Sequence, residues 1–197
     1  LPVLLPKIKE DFPNLTLNIV EAQTDVLLRK ISSGEIELAI LALPFETSGF
    51  NVHKFWIENF FWISKKEDPR SKKKSIKAKE LDLGELIMLE EGNCLKDHIL
   101  NACKIKNTSK ITFNASTLST SIELVKGGIG TTLVPEMAVN KLLSANPELA
   151  KTELDEKGPH REIALVSRMN YSGERDIDKL IHLFTKELKD HKNIKVS

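Results

Sequence analysis

The fold is decided most clearly by the stretch Thr117-Leu-Ser-Thr-Ser-Ile-Glu-Leu-Val-Lys-Gly-Gly-Ile-Gly-Thr-Thr-Leu-Val-Pro135. Leu118, Ile122 and Val125 recur at the spacing of one helix face, so they predict a helix that begins at Thr117. The glycines that follow end this helix. The short apolar run after them is typical of a buried strand, and Pro135 can open another helix. The stretch therefore predicts the order helix, turn, strand, helix.

The same alternation extends over the rest of the chain. Further helices are predicted at 4–12, 24–34, 135–143 and 177–188, and strands at 15–19, 38–43, 52–57, 60–64, 85–89, 111–114, 131–134 and 163–166. Alternating strands and helices are typical of an α/β fold with mostly parallel sheets and helices on both faces. A chain of 197 residues is long enough for two such lobes.

Composition narrows the class of protein. Apolar residues make up 41% and charged residues 29%, which is ordinary for a globular protein with a core and excludes the disordered class. The net charge of +1 gives no overall attraction to DNA or anionic lipid. No apolar run approaches the length of a membrane span, so we expect no membrane contact. Because the chain begins at Leu1 without Met, we expect a fragment of a longer protein.

The only two cysteines, Cys94 and Cys103, lie nine residues apart. If the segment between them is helical, the rise of about 1.5 Å per residue separates them by roughly 13 Å. A disulfide needs Cα atoms about 4.4–6.8 Å apart. Helix and disulfide would therefore exclude each other, and the segment is a candidate redox switch. Two cysteines in so long a chain also fit a reducing compartment, so we expect a cytoplasmic protein.

Several motifs carry a resemblance to a known family. Glu35-Ile-Glu-Leu-Ala-Ile40, Gly127-Gly-Ile-Gly-Thr-Thr-Leu-Val-Pro135 and Ala164-Leu-Val-Ser-Arg168 resemble the effector-binding region of LysR-type transcriptional regulators. Glu21-Ala-Gln-Thr24, Met88-Leu-Glu-Glu-Gly-Asn-Cys-Leu-Lys-Asp97 and the cysteine spacing are similar to the peroxide-sensing members of that family. The resemblance runs essentially from end to end.

The resemblance implies an architecture and a set of partners. Two Rossmann-like lobes of the periplasmic-binding-protein type are expected, lobe I at 1–57 and 169–197 and lobe II, with both cysteines, at 58–168. The family also implies an N-terminal winged helix-turn-helix domain outside this chain, which would bind DNA. The family further implies homodimers that assemble into a homotetramer. RNA polymerase is an expected partner, and glutaredoxin or thioredoxin is the expected reductant. Hydrogen peroxide would be the signal, with no cofactor.

The two cysteines receive different roles. Cys94 follows Gly92-Asn93, where a helix can begin, and a helix N-terminus with Lys96 nearby would favour the thiolate that attacks peroxide. Its alternative is an inert buried thiol. Cys103 is expected to be buried and to resolve the sulfenic acid on Cys94 into a disulfide.

Other residues are assigned from the family pattern. Thr24 matches a threonine that holds peroxide at the reactive cysteine, and Arg161 matches an arginine near the same pocket; a plain helix cap and an ion pair are their alternatives. Asp97 matches an aspartate of the switch segment, although it could merely support the helix. Asn93 stands where the family usually has histidine, so peroxide sensitivity could be lower. A second peroxide-contacting threonine of the family would fall just before Leu1.

Two other functions compete with peroxide sensing. The chain could be a LysR-type regulator that binds a small organic anion in the cleft between the lobes, with the cysteines incidental. It could also be an enzyme similar to thiol peroxidases, but it has no Cys-x-x-Cys motif, and the family implies sensing, so we expect no enzyme. Cys94 and His98 are too few ligands for a zinc site, and no metal is expected.

Overall fold

The computed structural model describes residues 4–193. These residues divide into two compact units. The first comprises the described residues up to Trp56 and those from Glu162 onward, and the second comprises Ile57–Arg161. The elements in chain order are α1 (Leu5–Asp11), α2 (Thr24–Ser33), β1 (Leu38–Leu43), β2 (Phe50–Glu58), β3 (Phe60–Lys65), β4 (Ser75–Ile76), β5 (Ile87–Leu89), α3 (Cys94–Ala102), β6 (Phe113–Ala115), α4 (Leu118–Lys126), β7 (Thr132–Pro135), α5 (Glu136–Ala145), β8 (Leu149–Leu154), β9 (Arg161–Arg168) and α6 (Glu174–Asn193).

The first unit is a three-stranded sheet covered by helices on both faces. Its strand order is β1-β9-β2, with β1 antiparallel to β9. Successive side chains of a strand point to opposite faces, so Leu165 packs with α1 and α6 while Ala164 and Val166 pack with Leu27 and Ile31 of α2. The apolar periodicity of each helix thus decides which face of the sheet it covers.

The second unit contains a four-stranded sheet of order β4-β8-β3-β7 and a parallel pair, β5 with β6. A bridge between Leu86 and Thr131 joins β5 to the start of β7, and the Ile87 N–H donates to the Thr131 carbonyl at 2.7 Å. Gly130 is required at this junction, because a Cβ there would lie 2.1 Å from the Glu85 carbonyl oxygen. The glycine motif therefore brings β5, the strand that leads to the cysteine helix, against β7.

The α/β class is confirmed, but two details of the prediction are wrong. The sheets are mixed, since β1–β9, β3–β7 and β3–β8 are antiparallel. Residues 15–19 form no strand, and Leu15 and Leu17 remain 47% and 46% exposed, because no described strand offers them a hydrogen-bonding partner. The lobes predicted from the family, with their second boundary at 168/169, stay a prediction; in the structure, β9 pairs with β1 of the first unit.

A cysteine helix as the candidate functional site

The cysteine segment is a helix that begins where Gly92-Asn93 ends the preceding turn. Gly92 has φ of 82°, a conformation that glycine adopts without strain. The Asn93 side-chain oxygen accepts a hydrogen bond from the Leu95 N–H at 3.0 Å, which is a standard N-cap. Leu95 and Ile99 then anchor α3 in the core of the second unit. Local sequence therefore fixes both the start of α3 and its buried face.

Cys94 is the first residue of α3 and is half-buried. The first N–H groups of a helix lack partners within it and point along the axis, and the helix dipole is positive at this end. A thiolate at this position is stabilised relative to one in the helix interior. Cys94 is therefore partly exposed at the end of α3 where the helix dipole favours negative charge.

Cys103 occupies the opposite end of α3 in a different environment. It follows the last helical residue, its N–H donates to the Ile99 carbonyl at 2.9 Å, and it is only 8% exposed. Burial, with a smaller contribution from the Glu156 carboxylate, raises the pKa of its thiol to about 12. The Cys103 thiol is therefore protonated at neutral pH and suits a second step better than a first.

Both thiols are free and α3 between them is intact. At about 1.5 Å per residue, nine residues place the two ends of the helix roughly 13 Å apart. That is about twice the Cα separation that a disulfide allows. The structure is therefore that of the dithiol form, and a Cys94–Cys103 bond requires α3 to unwind.

Lys96 and Asp97 are the two charged residues predicted near Cys94; Lys96 pairs with another residue, and Asp97 is exposed to solvent. Lys96 is buried and pairs with Glu91 of the preceding turn. Residues two positions apart in a helix do not face each other, so Lys96 and Cys94 lie on different sides of α3. Asp97 is exposed in the first turn, where an acid supports a helix. This arrangement does not support Lys96 as the cation beside the Cys94 thiolate.

Arg161 forms the ion pair that the sequence left open as its alternative role. Its guanidinium donates to Glu58 at 3.0 Å, and the other Glu58 oxygen accepts the Met137 N–H at 3.0 Å. Glu58 is 2% exposed, and a carboxylate so buried requires such partners. Next to this pair, His160 accepts a hydrogen bond from the Phe60 N–H at 3.0 Å. These contacts make Arg161 part of the framework of the second unit.

Thr24 lies in the first unit, whereas Cys94 lies in the second. It is the first residue of α2 and half-buried; Gln23 occupies the cap position that was considered for Thr24. Five of the predicted site residues therefore lie on α3 or at its two caps: Asn93, Cys94, Lys96, Asp97 and Cys103.

Sequence reasoning missed Glu58, His160 and Glu156. Their partners are distant along the chain, so no local spacing indicates them. A glutamate between two apolar strands, as in Trp56-Ile-Glu-Asn-Phe60, is the one signal that could have indicated a buried carboxylate.

The chain belongs to the LysR substrate-binding-domain family, whose model matches residues 1–189. It is similar to the HTH-type transcriptional regulator EstR of Acinetobacter baylyi, 35% identical over 187 residues, which are 91% of this chain and 60% of that protein. It is also similar to a probable hydrogen peroxide-inducible genes activator of Mycobacterium avium, 34% identical over 178 residues, 89% of this chain and 57% of that protein.

A solved structure gives the same result. The reduced form of the regulatory domain of OxyR2 from Vibrio vulnificus superimposes with a TM-score of 0.83 at 31% identity, covering 93% of this chain and 87% of that one. The predicted resemblance to OxyR regulatory domains, and with it the periplasmic-binding-protein type of fold, is confirmed. The chain spans somewhat more than half the length of the two curated relatives. Both relatives are named as regulators or activators of genes and not as enzymes, in agreement with the prediction.

No helix within residues 4–193 is long and apolar enough to cross a membrane. No group of three or more His, Cys, Asp and Glu side chains among the described residues is placed to hold a metal ion.

Proposed function

We propose that the chain is the regulatory region of a peroxide-responsive transcription regulator, with Cys94 and Cys103 as its redox pair. The observation that carries the proposal is the contrast between the two thiols of α3. Cys94 is half-buried at the N-terminal end, whereas Cys103 is buried and protonated at the other end. The name of the Mycobacterium avium relative, a probable hydrogen peroxide-inducible genes activator, supports the same signal.

The chemistry has two steps and needs no cofactor. The Cys94 thiolate attacks one oxygen of hydrogen peroxide; the O–O bond breaks and hydroxide leaves, which takes up a proton to become water. Cys94 is now a sulfenic acid, oxidised by two electrons. The Cys103 sulfur then bonds to the Cys94 sulfur, and the sulfenic hydroxyl leaves with the Cys103 proton as a second water. Because α3 keeps the sulfurs apart, this second step requires the helix to unwind.

Unwinding of α3 is the conformational change that would affect the rest of the regulator. In the full-length protein, a winged helix-turn-helix domain would bind DNA, and homodimers would assemble into a homotetramer. A remodelled 94–103 segment changes the surface that the second unit offers to a neighbouring subunit. That change would alter how the full-length regulator binds DNA and how it contacts RNA polymerase. A glutaredoxin or thioredoxin would restore both thiols by exchange.

The remaining candidate residues divide into two groups. Thr24 and Asn93 stay candidates for holding peroxide, the first through its hydroxyl and the second through its amide nitrogen, since the Asn93 oxygen already caps α3. Arg161 pairs with the buried carboxylate of Glu58, and the buried Lys96 pairs with the exposed Glu91, so we assign both to the framework. Asp97 supports the helix start.

Peptide mapping by mass spectrometry tests the proposal. Hydrogen peroxide should convert the chain to a form with one intramolecular Cys94–Cys103 link, reversed by a thiol reductant. Cys94→Ser should resist oxidation, whereas Cys103→Ser should stop at a Cys94 sulfenic acid that a dimedone reagent traps. If wild-type thiols remain fully alkylatable after excess peroxide, the proposal is wrong.

A second candidate is a LysR-type regulator that senses a small organic ligand. The observation that favours it is the similarity to EstR, which is 35% identical to this chain and whose name does not mention peroxide. A reporter driven by the full-length regulator separates the two, because a metabolite sensor would respond normally with both cysteines replaced by serine.

A further inference from the structure

A pocket of about 690 Å³ lies in the second unit at the C-terminal end of α3. Its apolar lining includes Leu81 and Cys103, both buried. Its walls come from two segments that are distant in sequence, residues 77–83 and residues 103–110, together with Glu156. The second segment follows α3 directly, so a rearrangement of α3 would move one wall of the pocket.

Five lysines line this pocket: Lys77, Lys79, Lys104, Lys106 and Lys110. All five are exposed, and none forms a salt bridge with another described residue. Lys73 and Lys96, in the same unit, do have carboxylate partners. Like charges around one pocket repel one another, and an anion among them reduces that repulsion.

Two carboxylates also line the pocket, but each is engaged with the backbone. The Asp82 carboxylate accepts the Gly84 N–H at 2.8 Å, and the Glu156 carboxylate accepts the Ala78 N–H at 3.0 Å. The lining therefore keeps three more positive than negative side chains. Apolar side chains together with several lysines fit a compact organic or inorganic polyanion better than a single halide ion.

We propose that this pocket binds a small anion with two or more negative groups, a polycarboxylate or a polyphosphate, and that the bound anion holds α3 in its dithiol form. The second half rests on the proposed function. The anion would connect residues 77–79 to residues 104–110, and unwinding of α3 would break that connection. A ligand that binds only one of two states stabilises it by mass action.

Titration calorimetry on the reduced chain tests the binding. Sodium pyrophosphate and sodium citrate are the probes, with sodium chloride at equal ionic strength as the reference. We expect saturable one-site binding of at least one probe, weakened at least tenfold in Lys104→Gln/Lys106→Gln. The matched control, Lys141→Gln/Lys186→Gln, removes two exposed lysines elsewhere and should bind as wild type. Equal weakening in both variants, or an identical signal from chloride, would overturn the site.

The rate of disulfide formation tests the regulatory half. With the binding probe at ten times its wild-type Kd, peroxide-driven Cys94–Cys103 linkage should slow about elevenfold in wild type and by no more than about twofold in Lys104→Gln/Lys106→Gln. An unchanged wild-type rate would overturn this half. If no linkage forms even without the anion, the proposed function itself fails, and the calorimetry alone decides on the pocket.

Discussion

The two ends of α3 carry the same amino acid in opposite environments. Cys94 is half-buried in the first turn, whereas Cys103 is buried beyond the last turn with its pKa raised to about 12. In the proposed function, the first thiol reacts with peroxide and the second resolves the product. The difference teaches that position along a helix, and not residue type alone, sets the exposure and protonation of a thiol.

The largest expected effect is on thiol alkylation. With iodoacetamide at pH 8, Cys94 should react at least about a hundredfold faster than Cys103, because burial and a raised pKa both suppress the Cys103 thiolate. Peptide mapping over a time course measures both rates in one sample. Equal alkylation rates of the two cysteines in the folded chain would contradict the contrast between the two ends of α3. As the control, the two cysteines should be alkylated at equal rates in the chain unfolded by urea.

The pH dependence of stability should isolate Cys103. Above its ordinary pKa of about 8.5, the unfolded chain loses the Cys103 proton while the folded chain keeps it up to about pH 12. The free energy of unfolding should therefore fall with rising pH in this window, by at most about 1.4 kcal/mol per unit.

Urea denaturation between pH 8 and pH 10.5 measures this slope. Other groups titrate in the same range, so the relevant quantity is the difference from Cys103→Ala, which should have a shallower slope. A Cys103→Ala slope identical to wild type would show that the thiol is not protected by burial.

Removing the cap of α3 should have a smaller effect. Asn93→Ala deletes the hydrogen bond to the Leu95 N–H and should cost about 1 kcal/mol of stability, whereas Asn93→Asp keeps a capping oxygen and should cost little. Once Cys94 is a sulfenic acid, the weaker helix end should also close the disulfide faster, by about fivefold. Denaturation and stopped-flow measurement of the step from sulfenic acid to disulfide in both variants measure these effects, and a slower disulfide step in Asn93→Ala would contradict them.

The smallest effect is expected for Lys96. Lys96 pairs with Glu91 on another side of α3 from Cys94, so Lys96→Gln should change the peroxide reaction of Cys94 by less than about twofold. Competition with a peroxide probe measures this rate. A tenfold loss would restore Lys96 to its predicted role as the cation that favours the thiolate.

The sequence was sufficient where local chemistry decides the structure. Gly92-Asn93 predicts a helix start because asparagine is a strong cap and glycine accepts the turn, and α3 does begin at Cys94. It was insufficient where a partner lies far along the chain. The alternation at 15–19 predicts a strand, but a strand forms only with a neighbour to pair with. Arg161 could not be assigned to Glu58, 103 positions away.

The central claim is that an intact α3 and a Cys94–Cys103 disulfide exclude each other. Amide hydrogen exchange of residues 95–103, followed by mass spectrometry in the reduced and peroxide-oxidised chain, tests it most directly. The account predicts strong protection in the reduced form and loss of that protection in the oxidised form, with α4 unchanged as the internal control. A verified disulfide with α3 still fully protected would contradict it.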